Sequence, residues 1–111
     1  MAKNLQAGVL LDFYGELLTD KQKAALELYY NEDLSLAEIA EDMQVSRQGV
    51  RAFIKQGEAH LSEFEEKLGM LERFSLISKL SKEAKKAAKE LPQSKEKEIL
   101  IKTIEEIENH L

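Results

Sequence analysis

The sequence predicts an all-α protein with a helix-turn-helix at its centre, and three observations lead there. Apolar residues recur at steps of three and four along nearly the whole chain, which is the period of a helical face and not the alternation of a strand. Helix-start signals stand where those periods begin, at Thr19 with Gln22, Ser35 with Glu38, Ser46 and Ser94, each a side chain able to satisfy an orphan backbone N–H. Residues 35–54 then carry the spacing of two helices joined by a tight turn.

In chain order, Leu5, Val9, Leu10, Phe13, Leu17 and Leu18 form the expected apolar face of a first helix over residues 5–18. Thr19 and Gln22 make a capping box, and Asp20 adds a negative charge in a first turn where the helix dipole favours it. This second helix is expected to end near Tyr30, before the polar connector Asn31, Glu32 and Asp33. Ser35 caps a third helix over 36–43 and Glu38 closes its capping box, with Leu34 placed as a staple. Ile39, Ala40 and Met43 share the inner face, and Ala40 is small where two closely joined helices cross. Val45 sits in the turn, and Ser46 caps a fourth helix whose inner face is Val50, Phe53 and Ile54.

The same stripe continues through Gly57, Leu61, Phe64 and Leu68, so the fourth helix is long, and Lys67 with Gly69 supplies a basic last turn and a glycine stop. A fifth helix carries Met70, Phe74, Ile77, Leu80, Ala84, Ala87 and Leu91. Pro92 cannot extend its hydrogen-bond ladder, and Ser94 caps a sixth helix striped with Leu100, Ile104, Ile107 and Leu111. The organisation read from this is a helix-turn-helix domain over 1–69 and a C-terminal helical hairpin over 70–111. Two helices cannot cover both of their own apolar stripes, so the hairpin is expected to be a dimerisation element that meets a second copy, with packing onto helices one and four as the alternative.

Composition removes several function classes. The absence of cysteine excludes disulfides and thiolate metal sites. No apolar run approaches the roughly 18 residues of a membrane helix, and the N-terminal MAKNLQAG has no secretion-signal centre; a cytoplasmic protein with no membrane insertion is expected. His60 and His110 lack metal-ligand spacing, and Glu65 with Glu66 and Glu105 with Glu106 diverge by about 100° on a helix. No glycine-rich phosphate loop is present. The chain is therefore expected to hold no catalytic residue, metal or cofactor and not to be an enzyme. Glu38, Glu41 and Asp42 read as a solvated acidic ridge, and the run from Lys79 to Lys89 as the solvated face of helix five.

Charge gives the sharpest functional signal. The net charge of −5 argues against binding nucleic acid by bulk electrostatics. Residues 1–70 hold seven Lys/Arg against thirteen Asp/Glu, whereas residues 71–111 hold nine against eight, so neither part is basic. Yet no acid lies between Met43 and Gly57, and Arg47, Arg51 and Lys55 recur every four residues on the second helix of the motif. Ser46, Arg47, Gln48, Arg51 and Lys55 are the candidate nucleic-acid-binding residues: arginine grips guanine and glutamine grips adenine at the end of the helix that enters a major groove. DNA is the expected ligand with RNA as an alternative, and the competing reading is an ordinary solvated face. Gly49 costs about 1 kcal/mol relative to alanine inside a helix, which leaves close approach to a ligand or to a neighbouring helix as its reason. Tyr29 and Tyr30 have the rings to stack on bases, but their place on an amphipathic helix assigns at least one to the core.

The motif pieces form a recognisable set: LT-x-x-Q from Leu18, LYY followed by acids, S-x-x-EIA from Ser35, then Val45-Ser46 with Val50 four residues later. Together they resemble region 4 of sigma-70 transcription factors. Extended through EFEEKLGMLERF, the sequence is similar to the YlxM-type family of small helix-turn-helix proteins, strongly over residues 10–74 and in general character beyond. The resemblance implies a cytoplasmic, non-enzymatic protein encoded beside genes of the signal recognition particle, acting in or regulating that pathway, with particle components as partners. It matches Ser46, Arg47, Gln48, Arg51 and Lys55 to the groove-reading helix of the sigma domain. Sigma proteins commonly have a basic residue followed by alanine where this chain has Gln56 and Gly57. The alternative function is a helical adaptor that docks on a protein component and touches no nucleic acid.

Overall fold

The structure, a computed structural model, describes residues 3–111, and every regular element among them is helical. The elements are α1 (Leu5–Tyr14) with a 3-10 turn (Gly15–Leu17), α2 (Asp20–Leu26) with a π-helical extension (Glu27–Asn31), α3 (Leu36–Met43), α4 (Arg47–Leu68), α5 (Met70–Lys89) and α6 (Lys95–Asn109). The chain divides into two compact units, one ending at Gly69 and the other Met70–Leu111.

In the first unit, short-range chemistry sets the helix ends. Thr19 and Ser35 each close a full capping box, and Ser46 Oγ accepts from Gly49 N–H at 3.0 Å. Gly69 ends α4 in the left-handed region at φ 61°, where glycine carries no Cβ penalty. The α3–α4 turn makes the same excursion at Gln44, φ 58°, with its N–H directed to the last carbonyls of α3.

The inner face of α1 differs from the expected one. Ala7, Leu10, Leu11 and Tyr14 are buried, while Leu5, Val9 and Leu17 are exposed. The buried set follows the i, i+3, i+4, i+7 pattern of one helical face, and the α-helix gives way to a 3-10 turn at Gly15, so Leu17 turns outward while Leu18 stays buried as expected. Helix two likewise changes form, closing i→i+5 bonds through Tyr29 and Tyr30. Tyr29 is buried, as a core role requires, and Tyr30 is partly so.

Helix α4 is the axis of this unit and packs on α1, α2 and α3. Leu26, Ile39, Val50, Ile54 and Leu61 are wholly withdrawn from solvent around it. Two tyrosines fix its rotation: Tyr30 Oη donates to Glu58 Oε2 and Tyr14 Oη to Glu65 Oε1, each at 2.6 Å. The two carboxylates lie seven residues apart, about two turns along one side of the helix.

The second unit is the α5–α6 hairpin. Lys85 reaches Glu108 at 3.2 Å and Glu105 at 3.5 Å across it, and Ser81, Ala88 and Ile104 are buried between the helices. The seam on α5 therefore runs through Ser81 and Ala88 where the sequence suggested Leu80 and Ala87. Leu80, Leu100, Ile107 and Leu111 stay exposed, and Leu80, Ile107 and Leu111 border open grooves of about 440 and 250 Å³, which Ile77, Ala84 and Thr103 also line.

Candidate nucleic-acid interface

The candidate surface is built from the turn upward. Val45 donates its N–H to Ala40 O at 3.0 Å and holds the turn against α3. Ser46 then caps α4, leaving the remaining first-turn N–H groups at a helix N-terminus that carries no acidic residue. Gly49 serves this cap. A Cβ there would sit 3.3 Å from Ser46 Oγ and 3.7 Å from Val45 Cβ, so the glycine relieves crowding inside the turn itself.

Below the surface, Val50 and Ile54 are fully buried. Gln48 and Lys55 point well away from that inner direction, by about 140° and 120°, while Arg51 and Arg47 flank it at about 80° and 40°; all of them, with Ser46, are exposed. From Arg47 to Lys55 the axial span is about 12 Å, with a drift of about 40° at each four-residue step. Among the described residues no ion pair engages Arg47, Arg51 or Lys55.

Nearby acids have other work. The Ser35 backbone N–H, then the Ser35 side chain, hold the Glu38 carboxyl below its usual range, and Glu58 accepts from Tyr30. Burial first, and the bond to Glu58 second, push the Tyr30 phenol up to about 12. Glu41 and Asp42 remain exposed on α3. His60 Nδ1 lies 3.3 Å from Gln22 Oε1, and His110 Nδ1 lies 2.8 Å from Glu106 O. Among the described residues no cluster of His, Cys, Asp or Glu has the geometry to hold a metal ion, and no helix is long and apolar enough to cross a membrane.

Sequence reasoning overlooked the tyrosine clamps, which join residues 28 and 51 positions apart. An aromatic residue at the end of a helix gives no sign of which carboxylate it meets. The clamps hold the orientation of the helix that carries the cations.

An all-helical domain with a serine-capped second motif helix and an outward basic row defines the class of helix-turn-helix proteins. The chain belongs to the UPF0122 family, described as "Putative helix-turn-helix protein, YlxM / p13 like", whose model matches residues 1–104. Its relatives include a UPF0122 protein of Halalkalibacterium halodurans, 42% identical over 96% of this chain and 97% of the other. One from Bacillus pumilus is 40% identical over 97% and 98% of the two chains. A third, from Listeria welshimeri, is 49% identical over 73% of this chain and 74% of its own length.

Proposed function

We propose that this protein is a nucleic-acid-binding regulator that inserts the N-terminal half of α4 into a major groove. Arg47, Gln48 and Arg51 meet base edges, Lys55 meets phosphate, and Ser46 holds the helix end that approaches. The supporting observation is the row Arg47, Arg51 and Lys55, exposed and without an acid partner among the described residues. Cations with no internal partner exchange only water and counterions when they meet phosphate, and that exchange drives binding. Duplex DNA is the favoured ligand, because a helix fits the B-form major groove while the A-form groove of RNA is too deep and narrow for side chains to read.

The protein acts in this reading as a homodimer. Exposed Leu80, Leu100, Ile107 and Leu111 give the hairpin an apolar face of the kind a second hairpin covers in a four-helix bundle. The resemblance to YlxM-type proteins supports a place in the signal recognition particle pathway. The same apolar face supports the second reading, a helical adaptor that docks on a protein of that pathway.

The test is titration of labelled duplex DNA and of a structured RNA at several salt concentrations, with sedimentation giving the mass. A dimer using three cations per copy gives a log-log salt slope near about −5. Arg47→Glu with Arg51→Glu should abolish binding while helicity and mass stay unchanged. Unchanged binding in that variant refutes the role given to α4, and a slope close to zero with protein capture favours the adaptor.

A further inference from the structure

Lys79, Lys82, Lys86 and Lys89 are all exposed on α5. At 100° per residue they fall within about 80° of one another and extend about 15 Å along the axis. No ion pair engages any of them among the described residues, unlike Lys85, which crosses to Glu105 and Glu108.

Glu83 and Glu90 border the row on one side, about 40° and 20° beyond Lys79 around the helix, and among the described residues neither forms an ion pair with it. On α5 the four lysines stand at i, i+3 and i, i+4 from one another, where like charges work against the helix. The dipole of the last turn favours Lys86 and Lys89, which leaves Lys79 and Lys82 without that reason. The row also lies roughly 180° around α5 from Ile77, Leu80 and Ala84 in the apolar groove. A molecule seated on that groove leaves the lysines open.

We infer that this row is a second phosphate-binding surface, separate from α4, which holds the sugar-phosphate backbone of a nucleic acid without reading its sequence. The residue types divide accordingly. Arginine at 47 and 51 offers a planar fork suited to base edges, whereas a lysine ammonium is a point charge suited to phosphate. The inference rests on the proposed nucleic-acid binding but concerns different residues, so the two are separable. Four lysines that each neutralise a phosphate steepen the salt slope by about 3.6 per engaged copy on duplex DNA and by about 2.8 on a single strand.

The experiment uses the full chain carrying Lys79→Gln, Lys82→Gln, Lys86→Gln and Lys89→Gln, with Lys95→Gln plus Lys102→Gln as the control. Circular dichroism checks that helicity is retained. The probes are a labelled duplex of arbitrary sequence, the same duplex with altered sequence, and a stem-loop RNA. The α5 variant should bind both duplexes more weakly by the same factor and the RNA more weakly as well, and lose about 3.6 units of salt slope on the duplexes per engaged copy, about 7 if both copies of a dimer engage; the control should match wild type. Losses on both DNA and RNA mark the shared backbone as ligand, and a loss on RNA alone assigns the row to RNA. An α5 variant with the slope and affinity of wild type overturns the inference, whatever Arg47→Glu and Arg51→Glu do. Binding that depends on the α5 row but survives those two reversals upholds the inference and refutes the role of α4.

Discussion

Gly57 sets how closely α2 and α4 approach, and replacing it measures that contact. A Cβ at Gly57 would lie 2.6 Å from Leu26 Cδ1, 3.4 Å from Leu26 Cγ and 3.5 Å from Gln22 Cβ. Leu26 is fully buried, so its side chain has no solvent to swing into. Two effects oppose each other in Gly57→Ala. Alanine gains about 1 kcal/mol over glycine inside a helix, while forcing a methyl group into a filled core costs about 1–3 kcal/mol. A contact of 2.6 Å lies well inside van der Waals distance, which places the cost at the upper end of that range and the net destabilisation at about 1–2 kcal/mol.

Leu26→Ala supplies the decisive background. Alone it removes a buried leucine and costs about 2–5 kcal/mol. Once Leu26 is truncated, only the ordinary contact with Gln22 remains, and Gly57→Ala should then stabilise by about 1 kcal/mol. The sign reversal corresponds to a coupling of about 2–3 kcal/mol, within the range for residues in direct contact. Urea denaturation followed by helical circular dichroism, at one fixed protein concentration so that association does not shift the midpoint, reads all four corners of the cycle. If Gly57→Ala stabilises the parent chain, or acts alike in both backgrounds, the close α2–α4 approach is refuted. The functional stake is the placement of α4, because the cation row sits on the same helix from about half a turn to three turns upstream.

The buried Ser81 hydroxyl has no hydrogen-bond partner among the described residues, and Ser81→Ala removes its desolvation cost while improving helix propensity, so a gain of about 1–2 kcal/mol in urea denaturation is expected. A loss instead would mean that the hydroxyl is bonded in solution. For Tyr30, the folded-state value near 12 lies above the ordinary phenol value of 10, so its stabilisation is fully present below pH 10 and is lost as the pH rises through about 12. Tyr30→Phe should lessen the stability loss over that window, and the ultraviolet tyrosinate titration should lose its highest-pH component; loss of a component near pH 10 instead contradicts the burial of Tyr30 and its bond to Glu58.

The parts of this fold that were legible in the sequence are those decided over a few residues. Thr19, Ser35, Ser46 and Ser94 all cap helices in the structure, and Gly69 stops one, because a cap bond reaches only two or three positions along the chain. The α1 face was harder to read, since apolar residues surround that helix and only packing selects Ala7, Leu11 and Tyr14 over Leu5 and Val9. The choice of Ser81 and Ala88 over Leu80 and Ala87 is likewise made by α6, a partner that α5 does not encode. Gln44 adopts a left-handed conformation without being glycine, and only the geometry of the turn explains it. The outward position of Lys55 was readable because Val50 and Ile54 fix the inner face, whereas Arg47 and Arg51 lie nearer that face and are exposed beside it. Whether distant carboxylates fold onto those cations is a tertiary question that spacing does not answer.

Acidic surroundings give the candidate surface its discrimination. Through residue 70 the chain carries thirteen acids against seven cations, so a polyanion that meets most of this surface is repelled. Three of the seven cations form the single row on α4, about 12 Å long. At physiological ionic strength charges act over about 8 Å, so a phosphate chain registers the row only when it lies along it, and weak attraction from afar gives little help. In the proposed reading, binding depends on groove geometry more than on net charge, so a negatively charged helix-turn-helix protein avoids indiscriminate adhesion to nucleic acid while retaining a surface for it. In the same reading the α5 lysines follow this logic, adding affinity along one further line of phosphates without turning the whole chain basic.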